Sequence, residues 1–276
     1  MNVGIVGIGL IGGSLAKVYK SKGHTVYGFD KDDSIREYAQ LSGVVDGELN
    51  EKTIKDCDAI FIAINPHDTV AYLKNVAPTI SKDTIVFDCC GIKRYICEQC
   101  FPLAKKYGFT FVGGHPMAGS HKMGFANSSA ELFIDAPMVL VPPFYDNPVL
   151  IGRIDEILKP VGFGHFAVTT AEKHDEIIAF SSQMAHVISN AFIKSPTAHE
   201  HKGFSAGSYL DLTRVARLDA DMWAKLCMEN SDFLIKEIDA FINAMTSYRN
   251  ALASKDEVEL KKLFEEGSRL KKELDS

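Results

Sequence analysis

No run of apolar residues approaches the roughly 18 needed to cross a bilayer as a helix, and the sequence has no surplus of basic residues. Its 30 lysines and arginines face 36 aspartates and glutamates, for a net charge of −6. The first absence leaves no helical membrane span. The second argues against nucleic acid as a partner, because phosphate binding wants a basic face. The apolar start MNVGIVGIGLIGG lacks the basic flank of a secretory signal and reads as a strand and turn. Internal repeats and low-complexity linkers are also missing. The expectation is a cytoplasmic globular chain.

Cysteine is sparse: six residues, four of them crowded between Cys89 and Cys100. The Cys97-x-x-Cys100 pair raises the question of zinc. Adjacent Cys89 and Cys90 suit few tetrahedral sites, and the segment reads as a strand end entering a helix. Reduced thiols and no metal are expected. What is present is ordinary core material, 46% hydrophobic residues and 24% charged over 276 positions, enough for one large or two modest domains.

The first segment carries chemistry. Residues 2–6 form a short apolar run fit for a buried parallel strand, and residues 10–22 carry a helical pattern ending at Gly23. Between them Gly7, Ile8, Gly9, Leu10, Ile11 and Gly12 form a loop in G-x-G-x-x-G spacing. Gly7 permits the tight turn, Gly9 lets a pyrophosphate approach the backbone, and Gly12 lets helix and strand pack closely. The helix start offers free N–H groups to the phosphates. A second strand over 24–30 ends in Asp30, where a carboxylate can accept hydrogen bonds from ribose hydroxyls and would repel a 2′-phosphate. NAD is therefore expected over NADP, with Lys31, the next residue, leaving NADP as the second reading.

Strand-like runs follow over 56–65, 83–90, 109–116, 136–143 and 163–169, mostly alternating with helical segments. The pattern predicts an α/β fold: a doubly wound, mostly parallel sheet with ligands at the carboxyl ends of its strands. Asn65, Cys89, Cys90 and His115 fall just past strand ends, as candidates for the floor of one cleft. Ile64, Asn65 and Cys89 are placed on its cofactor side. After about residue 170 the strand signal stops. Segments 171–195, 213–252 and 257–274 read as helices, which divides the chain into a dinucleotide-binding domain (1–169) and an all-helical domain (170–276).

Within the helical half, Ser182 and His186 lie four residues apart and so share a helix face. They are either pocket residues or satisfied packing. Arg214 stands near Asp211; an arginine grips a carboxylate with two parallel hydrogen bonds, and a structural Arg–Asp pair is the other reading.

The blocks GIGLIGGS, GGHPMAGSHKMG and DLTRVARLDADMW, followed by helices, resemble the prephenate/arogenate dehydrogenase family. The likeness spans nearly the whole chain, and the last two blocks are the specific ones. It implies a short, monofunctional form. The implied reaction is oxidative decarboxylation of prephenate to 4-hydroxyphenylpyruvate in tyrosine biosynthesis, or of arogenate to tyrosine, or both, with NAD(P)+ as oxidant and a homodimer formed through the helical domain. His115 matches the family histidine that accepts the proton of the hydroxyl being oxidised, and Arg214 matches an arginine that grips a substrate carboxylate. His186, Ser182, Gly207, Asp211 and Trp223 match positions that line or close the pocket.

Two departures stand out. The family's D-x-x-S-x-K block commonly carries a serine near the catalytic histidine; here DCCGIK keeps Asp88 and Lys93 but has Gly91. The orienting partner of His115 is thus left among a water, a backbone group and Cys90. His121 stands where an acidic residue is frequent, near the substrate side chain, which leaves prephenate and arogenate both open. Hydroxyacid and pyrroline-carboxylate dehydrogenases share the architecture but carry other groups at the catalytic position. A dinucleotide sensor without chemistry is the reading outside the enzymes.

Overall fold

The computed structural model describes residues 1–119 and 122–275. Its frame is an eight-stranded sheet in the order β3-β2-β1-β4-β5-β6-β7-β8. Strand β1 (Asn2–Val6) leads through the glycine loop into α1 (Leu10–Ser21), then β2 (Thr25–Phe29), α2 (Asp33–Leu41) and the two-residue edge strand β3 (Gly47–Glu48). Strand β4 (Ala59–Ile62), α3 (Pro66–Val76), β5 (Ile85–Asp88), α4 (Arg94–Tyr107) and β6 (Thr110–Pro116) continue the alternation. Then come β7 (Pro137–Val141), α5 (Pro148–Leu158) and β8 (His165–Val168).

β1, β4 and β5 are almost continuous in Val, Ile, Phe and Ala because helices cover both faces of the sheet. Side chains alternate between the two cores. Ile5, Phe61, Phe87 and Val112 pack on one side with α1 and α5. Val6, Ile60, Ile62, Val86 and Phe111 pack on the other with α3 and α4. Phe61 and Phe87 stack at 5.0 Å across β4 and β5. Each such buried side chain contributes about 1.5–3 kcal/mol.

Six strands run parallel, and β7 turns antiparallel to β6 after the long connection that follows Pro116. β3 is absent from the sequence reading, since two residues carry no period. Strand order reverses between β1 and β4, which opens a crevice at their carboxyl ends, where Gly7, Ile64 and Asn65 lie.

The helical half begins with α6 (Ala171–Ile178), capped by the Thr170 hydroxyl, and runs through a π-helical segment (Ala179–Met184) into α7 (Ala185–Phe192). There follow α8 (Gly207–Thr213), α9 (Ala220–Glu229), α10 (Ser231–Ser254) and α11 (Glu257–Leu274). Two expectations need correction. The helix read over 171–195 ends at Phe192 and carries the π segment. The run read over 213–252 is interrupted between Thr213 and Ala220, where the Asp219 carboxylate accepts the Met222 N–H and starts a new helix. Periodicity alone missed both because a π-turn or a tight break shifts the apolar stripe without erasing it.

The π segment has a consequence for the cleft. His174 and His186 are twelve residues apart; in a regular α-helix they would stand about 120° apart around the axis. A π-turn takes up one extra residue and brings them to about 20° of one another.

Candidate active site

The glycine loop has the geometry of a phosphate cradle. Gly7 sits at φ 84°, a left-handed conformation, and its N–H donates to Phe29 O at 2.7 Å. A Cβ at Gly12 would lie 1.9 Å from Gly7 O, whereas one at Gly9 would meet no protein atom within 4 Å. Gly12 is thus required by helix–strand packing, and Gly9 leaves open space beside the helix start. Leu10 is buried, Ile11 packs against the core at the start of α1, and Ile64, just past β4, covers Gly7.

Asp30 stands at the end of β2, partly exposed. Its Oδ2 accepts the Ile8 N–H at 2.7 Å and its Oδ1 accepts the Asp32 N–H at 3.1 Å. Two of about four acceptor sites on the carboxylate are thereby used, and two are left for a diol. Lys31 is exposed. Arg36, which the sequence reading passed over, bonds the Asp30 carbonyl and the Asp33 carboxylate beside it. The Asn65 side chain caps α3: its Oδ1 accepts the Asp68 N–H at 3.0 Å and its Nδ2 donates to the Asp68 carboxylate.

His115 lies in β6, opposite Val139 of β7, and is partly exposed. Its Nδ1 is 2.9 Å from Nε2 of His174 on α6, and His174 Nδ1 is 2.7 Å from Asp175 Oδ1. A carboxylate only accepts, so His174 Nδ1 carries the proton and Nε2 is an acceptor. His115 Nδ1 must then donate, and its Nε2 is left as a lone pair. Neither His174 nor Asp175 was read from the sequence as a site residue. The one available signal is a His-Asp pair in the first turn of the first helix after the sheet.

Cys90 is not the orienting partner: its thiol donates to Ile64 O at 3.4 Å, on the far side. Burial pushes the thiols of both Cys89 and Cys90 up, so neither is a thiolate at neutral pH. Cys97 and Cys100 are buried in the core between α4 and the sheet.

Asp88 and Lys93 form an ion pair with both side chains fully buried. Asp88 also accepts the N–H of Gly114 at 3.0 Å and of Cys90 at 2.9 Å, tying the loop after β5 to the residue before His115. Burial would lower Lys93, but Asp88 prevails and keeps it cationic. Burial pushes His115 well below the ordinary imidazole value, and His174 and Lys93 push it the same way. The unprotonated ring is therefore the resting form.

On the helical side, His186 Nδ1 donates to Ser182 O at 2.9 Å, and the His186 ring stacks on Trp223 of α9 with centroids 3.9 Å apart. The three residues thus form one group. Leu226, on the same helix as Trp223, reaches Gly91. Gly207, Asp211 and Arg214 lie on or next to α8 and are exposed; among the described residues no hydrogen bond or ring contact joins them to this group. The structural Arg214–Asp211 pair does not form: among the described residues Arg214 makes no ion pair. His121 lies outside the described residues. Also unread in the sequence, His67 at the start of α3 bonds Tyr95 Oη and Glu229 at the end of α9, both at 2.8 Å, fastening α9 to the sheet domain.

Sheet order, glycine loop and cleft define a Rossmann-type nucleotide-binding protein with a helical second domain. The family description "Prephenate dehydrogenase, nucleotide-binding domain" matches residues 15–166, and "Prephenate dehydrogenase, dimerization domain" matches residues 170–266. The chain belongs to the prephenate dehydrogenase family, oxidoreductases of aromatic amino-acid biosynthesis. It is 28% identical to the cyclohexadienyl dehydrogenase of Zymomonas mobilis subsp. mobilis, over 97% of this chain and 94% of that one. It is 27% identical to the prephenate dehydrogenase of Bacillus subtilis, over 94% of this chain and 72% of that one. The arogenate dehydrogenase of Synechocystis superposes with a TM-score of 0.81 at 26% identity, over 98% of this chain and 99% of that one. The fold is shared with the prephenate dehydrogenase of A. aeolicus, solved with hydroxyphenyl propionate and NAD+, at a TM-score of 0.83 and 24% identity, over 99% of this chain and 98% of that one.

Proposed function

We propose that this protein oxidises and decarboxylates prephenate with NAD+ as the oxidant, the domain of residues 1–169 holding the dinucleotide and that of 170–276 holding the substrate and joining two copies. The observation that carries the reading is the His115–His174–Asp175 chain, which leaves a basic nitrogen free at the carboxyl edge of the sheet. The residues fit the dinucleotide: Gly9 leaves space where a pyrophosphate would lie, Gly12 keeps the α1 start close, and Asp30 has acceptors for a ribose diol but none of the charge a 2′-phosphate needs. Ile64, Asn65 and Cys89 border the same crevice.

When bound, the nicotinamide supplies the acceptor for the hydrogen and electron pair leaving the substrate's carbinol carbon. His115 Nε2 takes the hydroxyl proton as that carbon becomes a carbonyl. A weak base suffices, because an alcohol losing electron density at carbon becomes a strong acid. Loss of CO2 then returns an electron pair to the ring, aromatisation makes the step irreversible, and the proton held on His115 returns to the phenolic oxygen. Arg214 is assigned to a substrate carboxylate; Ser182, His186 and Trp223, with Gly207, Asp211 and His121, shape the pocket around the side chain. Large apolar residues left exposed on α10 and α11, among them Ile242, Met245, Val258 and Phe264, support a dimer through the helical half.

Purified protein given prephenate or arogenate, each with NAD+ or NADP+, tests the reading through the reduced dinucleotide and the aromatic product. Prephenate with NAD+ is expected to be the fastest pair. Turnover of arogenate alone would reassign the substrate, and no turnover with either would leave a dinucleotide-binding protein without this chemistry.

A further inference from the structure

We infer that Arg94 is a positioning residue for the oxidation, acting on His115 through Asp175 and His174 while it pins the start of α10 to the dinucleotide domain. The inference rests on the reading of His115 as the base. Helix α4 has no side-chain cap from its own N-terminal segment. The cap comes from the other half of the chain: Asp175 of α6 accepts the Lys93 N–H at 2.7 Å and the Arg94 N–H at 2.9 Å. Arg94 Nε adds a third donor at 3.3 Å and His174 Nδ1 a fourth at 2.7 Å. Four donors fill the acceptor sites of the carboxylate.

A carboxylate stabilised by this many donors is a weak base toward the His174 proton. The proton therefore stays on His174 Nδ1, and the tautomers of both imidazoles follow in sequence. Burial works against the Asp175 charge, but the hydrogen bonds from His174 and the α4 backbone prevail and hold it below the usual carboxylate range. Among the described residues, Arg94 supplies the one side-chain cation that bonds this carboxylate.

The remainder of the guanidinium fixes where that cation stands. It forms a two-point pair with Asp232, donates to Asn230 Oδ1 at 2.8 Å and lies 4.4 Å from the centre of the Phe233 ring. Asn230 is buried and in turn donates to the Asp175 carbonyl and to Gln183 Oε1, both at 2.8 Å. A planar five-donor fork suits this set of partners, and a lysine does not reproduce it. The charged groups facing the His115–His174 pair are Asp88 from β5, Lys93 at the start of α4 and Asp175 beside His174; Arg94 reaches the pair through Asp175, and Glu172 and Asp232 contact Arg94.

Removing the Arg94 charge makes the imidazole pair easier to protonate, and removing the Asp232 charge makes it harder. The experiment is the pH profile of kcat at saturating prephenate and NAD+ for the wild type, Arg94→Gln, Arg94→Lys and Asp232→Asn, with Tm for each and with His115→Asn as the reference. Arg94→Gln should lower the plateau several-fold and move the acid limb up by roughly half a pH unit, with both KM values within about twofold. Arg94→Lys should lose turnover but keep its limb in place, and Asp232→Asn should move the limb down. A loss of Tm with every limb unmoved makes Arg94 a structural tie only and overturns the inference. If Arg94→Gln does not fold, Asp232→Asn decides: an unmoved limb there overturns it. If His115→Asn keeps full turnover, the reading of the base has failed instead.

Discussion

A Cβ placed on Gly91 would stand 3.9 Å from Cε1 of His115, with no atom nearer than 3.7 Å, a methyl of Leu226. The position at which the family resemblance implies a serine is therefore beside the His115 imidazole and has room for one. The ring is held instead at Nδ1, by His174.

Gly91→Ser should accordingly be tolerated, with Tm unchanged within the scatter of surface substitutions, about ±0.5 kcal/mol. His174→Leu should lower kcat by about 10²-fold, since Nδ1 of His115 loses its acceptor and the ring its fixed tautomer. Adding Gly91→Ser to His174→Leu should recover part of that loss. Turnover of His174→Leu equal to wild type would remove the relay from the mechanism.

The two loop glycines separate folding from binding. Gly9→Ala should leave the unfolding midpoint unchanged, because its Cβ meets nothing, yet weaken NAD binding about tenfold or more. Gly12→Ala should damage both, as its Cβ meets the Gly7 carbonyl. Calorimetric titration with NAD+ and urea unfolding on each variant check the contrast.

Lys93→Met strands a buried Asp88 charge and should cost about 3–5 kcal/mol in denaturant unfolding. Replacing both partners, Lys93→Met with Asp88→Asn, should return part of the stability while still harming turnover, because Asp88 also ties the loop after β5 to Gly114. A double variant no more stable than the single one would contradict the pairing.

Stability should fall with acid over a defined window. His115 and His174 are both held below the ordinary imidazole value in the fold. Below about pH 6.5 the unfolded chain therefore binds protons that the folded chain refuses, and unfolding is favoured. Asp175, lowered in the fold, contributes stability above about pH 3.9 that is lost as pH falls through its folded value. Tm measured from pH 7 to 5 should decline, and less steeply in a His174→Leu variant. A flat profile would show that neither imidazole is kept neutral.

Arg214→Ala should raise KM for the substrate about tenfold to a hundredfold with little change in Tm, because the side chain is exposed and makes no ion pair among the described residues. An unchanged KM would show that another group holds the substrate carboxylate.

By itself the sequence determined the parallel sheet, the glycine loop with Asp30, and His115 at a strand end. Each is a local pattern: apolar runs of strand length, three glycines at fixed spacing, a histidine just past a buried run. Backbone sterics and burial tie such patterns to one local shape, so they are legible within some twenty residues. Only the tertiary structure decided how His115 is held. His174 is 59 residues further along, and Asp175 next to it serves as the cap of a helix that begins with Arg94, 81 residues earlier. Hydrogen bonds across a domain junction leave no period in the sequence. The π-turn that brings His174 and His186 onto one face is equally silent, because it changes the phase of a helix without changing the kind of residue that forms it.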